Sequence, residues 1–155
     1  MTPPPLPDPR GSRVLLVEDD PDIAMLLCLV LQRRGFEVRV ETDVEGAYDA
    51  VAAESDWRLV VLDRCIPGGD GLEVLERLRA HGGRDVPVLV SSARCSNEDI
   101  DRVLAAGATG FVAKPFGLTD IAEVIEGMVH DDPTVPQVLG PLASCRTWSE
   151  AVGSH

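Results

Sequence analysis

Residues Leu59-Val60-Val61-Leu62 run without a break into Asp63, and the turn residues Pro67-Gly68-Gly69-Asp70-Gly71 follow closely. A continuous apolar run of this kind suits a strand covered by helices on both faces, as in parallel sheets. It predicts a buried central strand, with Asp63 where that strand leaves the sheet. In open α/β sheets this carboxyl end carries the ligand crevice. Taken alone, an aspartate there is more often a turn or helix-capping residue. Its meaning depends on what ends the other strands.

The same grammar repeats along the chain. Arg13 to Val17 is a short apolar strand ending in Glu18-Asp19-Asp20. Asp20 suits a helix N-cap and Pro21 the first helical turn. Ile23, Leu26, Leu27, Val30 and Leu31 then fall at helical spacing, and Gly35 suits the position just past the helix end. Glu37 to Glu41 alternates polar and apolar residues, as an edge strand does. Helices are expected from Val44 to Ala53 and from Gly71 to Ala80, and a fourth strand from Pro87 to Ser92. Asn97 is expected to cap a helix reaching Ala106. A fifth strand, Gly110 to Ala113, ends in Lys114-Pro115-Phe116. The last helix runs from Leu118 to His130, with Leu118, Ile121, Val124, Ile125 and Met128 facing in.

Five strands alternating with five helices through short connections predict βαβ units and a doubly wound parallel α/β sheet. The flavodoxin-like order 2-1-3-4-5 fits best, and it makes Asp19 and Asp63 neighbours at the switch point. This domain is expected over residues 13–130. Residues 1–12, rich in proline, read as an extended arm, and 131–155 as a tail or linker stump too short for a second domain.

Composition narrows the partners. The 155 residues carry a formal net charge of −12, which argues against direct nucleic-acid binding and suits a cation or a basic protein surface. No apolar run approaches the ~20 residues of a membrane span, and no signal peptide is visible, so the expected location is cytoplasmic. The four cysteines, Cys28, Cys65, Cys95 and Cys145, have no zinc-ligand spacing and read as free thiols.

Collected together, the strand ends are Glu18 and Asp19, Asp63, Ser92, and Lys114. Carboxylates packed this way repel one another: a pair ~4 Å apart costs about 4 kcal/mol at an effective dielectric of 20. Such a cluster needs a cation, a raised pKa or both. Oxygen-only donors point to Mg²⁺.

Val-Glu-Asp-Asp after the first strand, Leu-Asp…Pro-Gly-Gly-Asp-Gly around Asp63, Ser-Ser-Ala-Arg after the fourth and Lys-Pro-Phe after the fifth resemble the receiver domain of two-component response regulators. The resemblance covers about Arg13 to Val129. It implies that Asp63 is a phosphoacceptor, taking a phosphoryl group from a sensor histidine kinase or phosphotransfer protein. It implies Mg²⁺ held by Glu18, Asp19, Asp63 and the backbone carbonyl of Cys65, with Lys114 on a phosphoryl oxygen. It also implies that Ser92 and Phe111 form a switch that reshapes a surface read by a downstream protein or by an output domain absent from this sequence. Nothing beyond promoting its own phosphorylation and dephosphorylation is implied as enzyme activity.

Several residues depart from the family pattern. Ser92 replaces the commoner threonine and Phe111 the commoner tyrosine. Cys65 and Arg94 occupy positions that tune acyl-phosphate lifetime. Val124 stands where DNA-binding members that dimerise usually carry arginine, and Thr109-Gly110 replace an acidic pair, which counts against that dimer. Among other readings, a receiver-like docking scaffold independent of phosphorylation would keep the fold without the chemistry. A phosphatase of the haloacid dehalogenase type would want a second aspartate at position 65, where Cys65 stands. An FMN carrier would want a phosphate loop where Glu18-Asp19-Asp20 repel one. A redox switch would link Cys65 and Cys95, expected on adjacent rim loops.

Overall fold

The computed structural model describes residues 13–53, 57–82, 85–130, 138–139 and 145–146. The arm at 1–12 and most of the tail lie outside the described residues. In chain order the elements are β1 (Arg13–Val17), α1 (Pro21–Arg33), β2 (Glu37–Glu41), α2 (Val44–Ala53) and β3 (Leu59–Asp63). Then come β4 (Cys65–Ile66), β5 (Gly69–Asp70), α3 (Gly71–Ala80), β6 (Val88–Ser92), α4 (Asn97–Ala105), β7 (Gly110–Ala113) and α5 (Leu118–His130). Two short tail strands, β8 (Val138–Leu139) and β9 (Cys145–Arg146), complete the set.

Five parallel strands stand in the order β2-β1-β3-β6-β7, the arrangement expected from the sequence. Every residue of β3 is buried. Alternate side chains of the central strands feed two cores, because successive residues point to opposite faces. Leu15, Val60, Leu62, Val90 and Phe111 pack with α2, α3 and α4 on one side. Val14, Leu16, Val61, Leu89 and Val112 pack with α1 and α5 on the other.

The structure adds elements that the sequence did not announce. Cys65–Ile66 and Gly69–Asp70 form a small antiparallel hairpin directly after Asp63, with Gly68 at φ 95° in its turn and Gly69 at φ 156° opening its second strand. In the tail, β8 joins the free side of β7 in parallel, Phe111 opposite Val138 and Val112 opposite Leu139, and β9 returns antiparallel to β8.

Helix details follow the expectations with three corrections. Asp20 caps α1, its carboxylate accepting from the N–H groups of Asp22 and Ile23, and Gly35 takes φ 88° past the helix end. The buried stripe of α1 is Ala24, Leu27 and Leu31, so Leu26 is turned outward and 39% exposed. The cap of α4 is Ser96 rather than Asn97: Ser96 and Asp99 form a reciprocal capping box. Leu118, expected inside, is the first residue of α5 and is 38% exposed, whereas Val124 is buried.

Candidate functional site

The register of the sheet brings the chemistry together. Val17 pairs with Leu62, so Glu18 and Asp63 leave adjacent strands at one level. Asp63 lies opposite Ser91, and Ser92 opposite Ala113. The Lys114 N–H then donates to the Ser92 carbonyl at 2.8 Å, which fixes the lysine beside the end of β6. Lys114 and Pro115 are joined by a cis peptide bond.

Glu18 and Asp63 are both buried, 1% and 4% exposed, while Asp19 is open to solvent. Lys114 Nζ donates to Glu18 Oε1 and Oε2 at 3.1 and 2.9 Å and to Asp63 Oδ2 at 2.9 Å. Asp63 Oδ1 accepts from the Cys65 N–H at 3.0 Å, and Glu18 Oε1 from the Asp20 N–H at 3.1 Å. Burial pushes the Glu18 pKa up, with the Asp63 charge adding to it, and the bond from Lys114 only partly opposes this. Burial would lower the Lys114 pKa, but its bonds to Glu18 and Asp63 outweigh that and hold it raised. The two partners of one contact thus shift the same way. Geometry settles the sense: two buried carboxylates meet one ammonium, so the site is short of positive charge.

The donor set fits a hard divalent cation. Carboxylate oxygens of Glu18, Asp19 and Asp63 lie within 4.8 Å of one another, with no sulfur or imidazole among them. A groove bordered by these three residues, Pro21, Ala93 and Lys114 leads to solvent.

The remaining sequence candidates fall around this centre. Ser92 is 1% exposed, and its Oγ accepts from the Arg94 N–H at 2.9 Å. Phe111 is fully buried in the core beneath α4. Cys65 reaches the site through its backbone N–H. Cys65 and Cys95 are both free thiols.

Two features escaped the sequence reading. The Lys114–Glu18 bond joins residues 96 positions apart. Arg64, directly after Asp63, is 3% exposed and stands near Asp70 and Asp99. A charged residue between a buried strand and a turn gives no local signal of burial; only acids on two later elements would hint at it.

A doubly wound sheet with a buried aspartate, two further acids, a hydroxyl and a lysine on its carboxyl rim defines a class that comparison with known proteins names. Residues 14–126 match the model of the response regulator receiver domain, and the chain belongs to that family. It is 36% identical over 129 residues to the Bacillus subtilis (strain 168) transcriptional regulatory protein YkoG, covering 83% of this chain and 56% of that one. It is 38% identical over 109 residues to the DNA-binding response regulator MtrA of Mycolicibacterium smegmatis, covering 70% of this chain and 46% of that one. The chain therefore spans about half the length of these relatives. Among solved structures, the receiver domain of sensor histidine kinase PA1611 from Pseudomonas aeruginosa PAO1 superposes with a TM-score of 0.68 at 26% identity. That match covers 77% of this chain and 98% of that one, which holds a magnesium ion in its active site cleft. Among the described residues no helix is long and apolar enough to cross a membrane.

Proposed function

We propose that Asp63 is the phosphoacceptor of this receiver domain. The observation that carries the reading is a buried carboxylate held from both sides, by Lys114 Nζ on Oδ2 and the Cys65 N–H on Oδ1, next to Glu18 and Asp19. A carboxylate oxygen of Asp63 attacks phosphorus on a phosphohistidine of a sensor kinase or phosphotransfer protein. The P–N bond breaks, its electron pair returns to the imidazole, which takes a proton, and an acyl phosphate remains. Glu18, Asp19, Asp63 and the Cys65 carbonyl are the residues that would hold Mg²⁺, which supplies charge neutralisation at the transferring group. Lys114 turns from the carboxylates to a phosphoryl oxygen.

The new group brings about −1.5 to −2 charge units. Ser92 Oγ, now occupied by the Arg94 N–H, has acceptor oxygens to donate to, and Phe111 follows from its buried place in β7. An apolar groove lined by Ile23, Leu26, Phe116 and Leu118 opens beside Lys114. Output passes to a protein partner or to an output domain outside this sequence, in the cytoplasm. The net charge of −12 disfavours nucleic-acid contact by this domain itself. Residues 13–130 act as the signalling unit, which turns over no substrate besides its own aspartyl phosphate.

Intact mass after incubation with Mg²⁺ and acetyl phosphate tests this. One phosphoryl adduct is expected, absent without metal and absent in Asp63→Asn. No adduct together with no Mg²⁺ binding would replace the reading with a docking scaffold.

A further inference from the structure

Arg64 follows Asp63 in the chain yet carries its charge inward, with a side chain 3% exposed. Its backbone is fixed on both sides: the N–H donates to Ser91 O at 2.9 Å, and the carbonyl accepts from the Gly71 N–H at 2.7 Å. The guanidinium sits between the first turns of two helices. Nε lies 3.6 Å from Asp70 Oδ1 and Nη1 lies 3.7 Å from Asp99 Oδ1. These are ion-pair distances, too long for hydrogen bonds. Nε and Nη1 are buried with no hydrogen-bond partner among the described residues. A cation at two helix N-termini also faces the positive ends of both dipoles. The two carboxylates are what offset its charge there.

The acids hold different elements. Asp70 Oδ1 also accepts from the Leu72 N–H at 3.0 Å and is committed to α3. Asp99 gives Oδ2 to Ser96, 2.6 Å from Oγ, and presents Oδ1 to Arg64. Arg64 thus ties the residue beside Asp63 to the first turn of α4. The segment 93–96 ties that same turn to Ser92 from the other side. Turning Ser92 Oγ toward a phosphoryl group breaks its bond from the Arg94 N–H and pulls on this segment, which ends in the Ser96 cap. The Arg64–Asp99 pair resists the pull.

We propose that Arg64 is a positioning residue that, through Asp99, holds the first turn of α4 in its unphosphorylated place and so sets how readily the domain switches. The proposal rests on the reading of Asp63 as phosphoacceptor. Its test uses the full chain, beryllofluoride with Mg²⁺ as the phosphoryl mimic, calorimetric affinity, and amide hydrogen exchange across α4. Arg64→Met and Asp99→Asn are each expected to bind the mimic severalfold more tightly than wild type. Without the mimic, their first α4 turn should exchange as fast as that of the bound wild type. The double variant should go no further than either single one, as for two halves of one contact, and Arg64→Lys should restore wild-type affinity. Ser96→Ala, which loosens the cap but keeps the pair, should speed exchange without the gain in affinity. Wild-type affinity in Asp99→Asn, or additive effects in the double variant, overturns the proposal. Asp99 is on the surface, so its variant carries the test alone if Arg64→Met does not fold. A wild-type chain that binds no beryllofluoride overturns the phosphoacceptor reading, and the role of Arg64 with it.

Discussion

Glu18 and Asp63 leave different strands yet share one cation: Lys114 Nζ stands 2.9 Å from Glu18 Oε2 and 2.9 Å from Asp63 Oδ2. The lysine is the only partner of opposite charge paired with either carboxylate among the described residues. Much of the behaviour of the site follows from that shortage.

Lys114→Met leaves two buried carboxylates facing each other. Breaking a buried charge pair typically costs ~3–5 kcal/mol. The lysine keeps some contact with water, which places the loss at about 3 kcal/mol. Urea unfolding at neutral pH in the presence of a chelator should show that drop, and added Mg²⁺ should recover most of it. A variant as stable as wild type in chelator would contradict the shared-cation account.

The raised pKa of Glu18, caused first by burial, has a definite sign. The fold disfavours its charged form, so above the ordinary glutamate range Glu18 subtracts stability. That penalty fades as pH falls through the raised value toward 4.5, the unperturbed one. Glu18→Gln removes the charge and leaves Lys114 its bond to Asp63. Without metal, Glu18→Gln should therefore match or exceed wild type at neutral pH, and the gap should close on acidification. Lys114 acts at the other end of the scale. Its raised pKa gives stability that is full below the ordinary lysine range and lost as pH rises through the raised value. Paired urea titrations across pH read both windows.

Gly71 begins α3 pressed against the backbone that carries Asp63. A methyl group there would meet the Asp63 carbonyl oxygen and stand 3.0 Å from Arg64 Cα. Gly71→Ala should cost about 1–3 kcal/mol as overpacking and displace Asp63. The check is paired: a lowered unfolding midpoint together with weakened Mg²⁺ binding. Loss of stability with unchanged metal affinity would separate the glycine from the site.

Ser96→Ala removes one side of the α4 capping box, and a loss of about 1 kcal/mol is expected by urea unfolding. Asp99→Ala should cost more than that, because it also takes a carboxylate from the buried Arg64, and adding Ser96→Ala to it should cost little further. Independent losses would show that the two side chains do not cap together.

The rim was legible in the sequence because three of the strands end in an abrupt change from apolar to polar residues. Leu62 to Asp63, Val17 to Glu18 and Ala113 to Lys114 are such changes, and the parallel register lines them up. Asp20 was legible because a local cap has a local signature. The α4 cap was misplaced by one residue although the signal existed: Ser96 has Asp99 three positions on, whereas Asn97 has Ile100. Leu26 shows the limit of periodicity, which finds a helix but sets its rotation only loosely; Ala24 lets α1 approach the sheet and turns Leu26 out. The burial of Arg64 could not be read from neighbours, because Asp70 and Asp99 reach it from separate elements.

The tail strand β8 changes what the sheet offers to other molecules. With β8 and β9 in place, β7 is an inner strand, and its main-chain groups at Phe111 and Val112 are matched by the protein's own chain. The opposite flank ends in β2, where Glu37, Arg39 and Glu41 alternate with valines. Charged outer strands and covered ones both discourage sheet-to-sheet growth. A crowded solution of this protein should therefore resist edge-to-edge aggregation through β2 and β7, with the chain itself acting as guard on the flank that leads into Lys114.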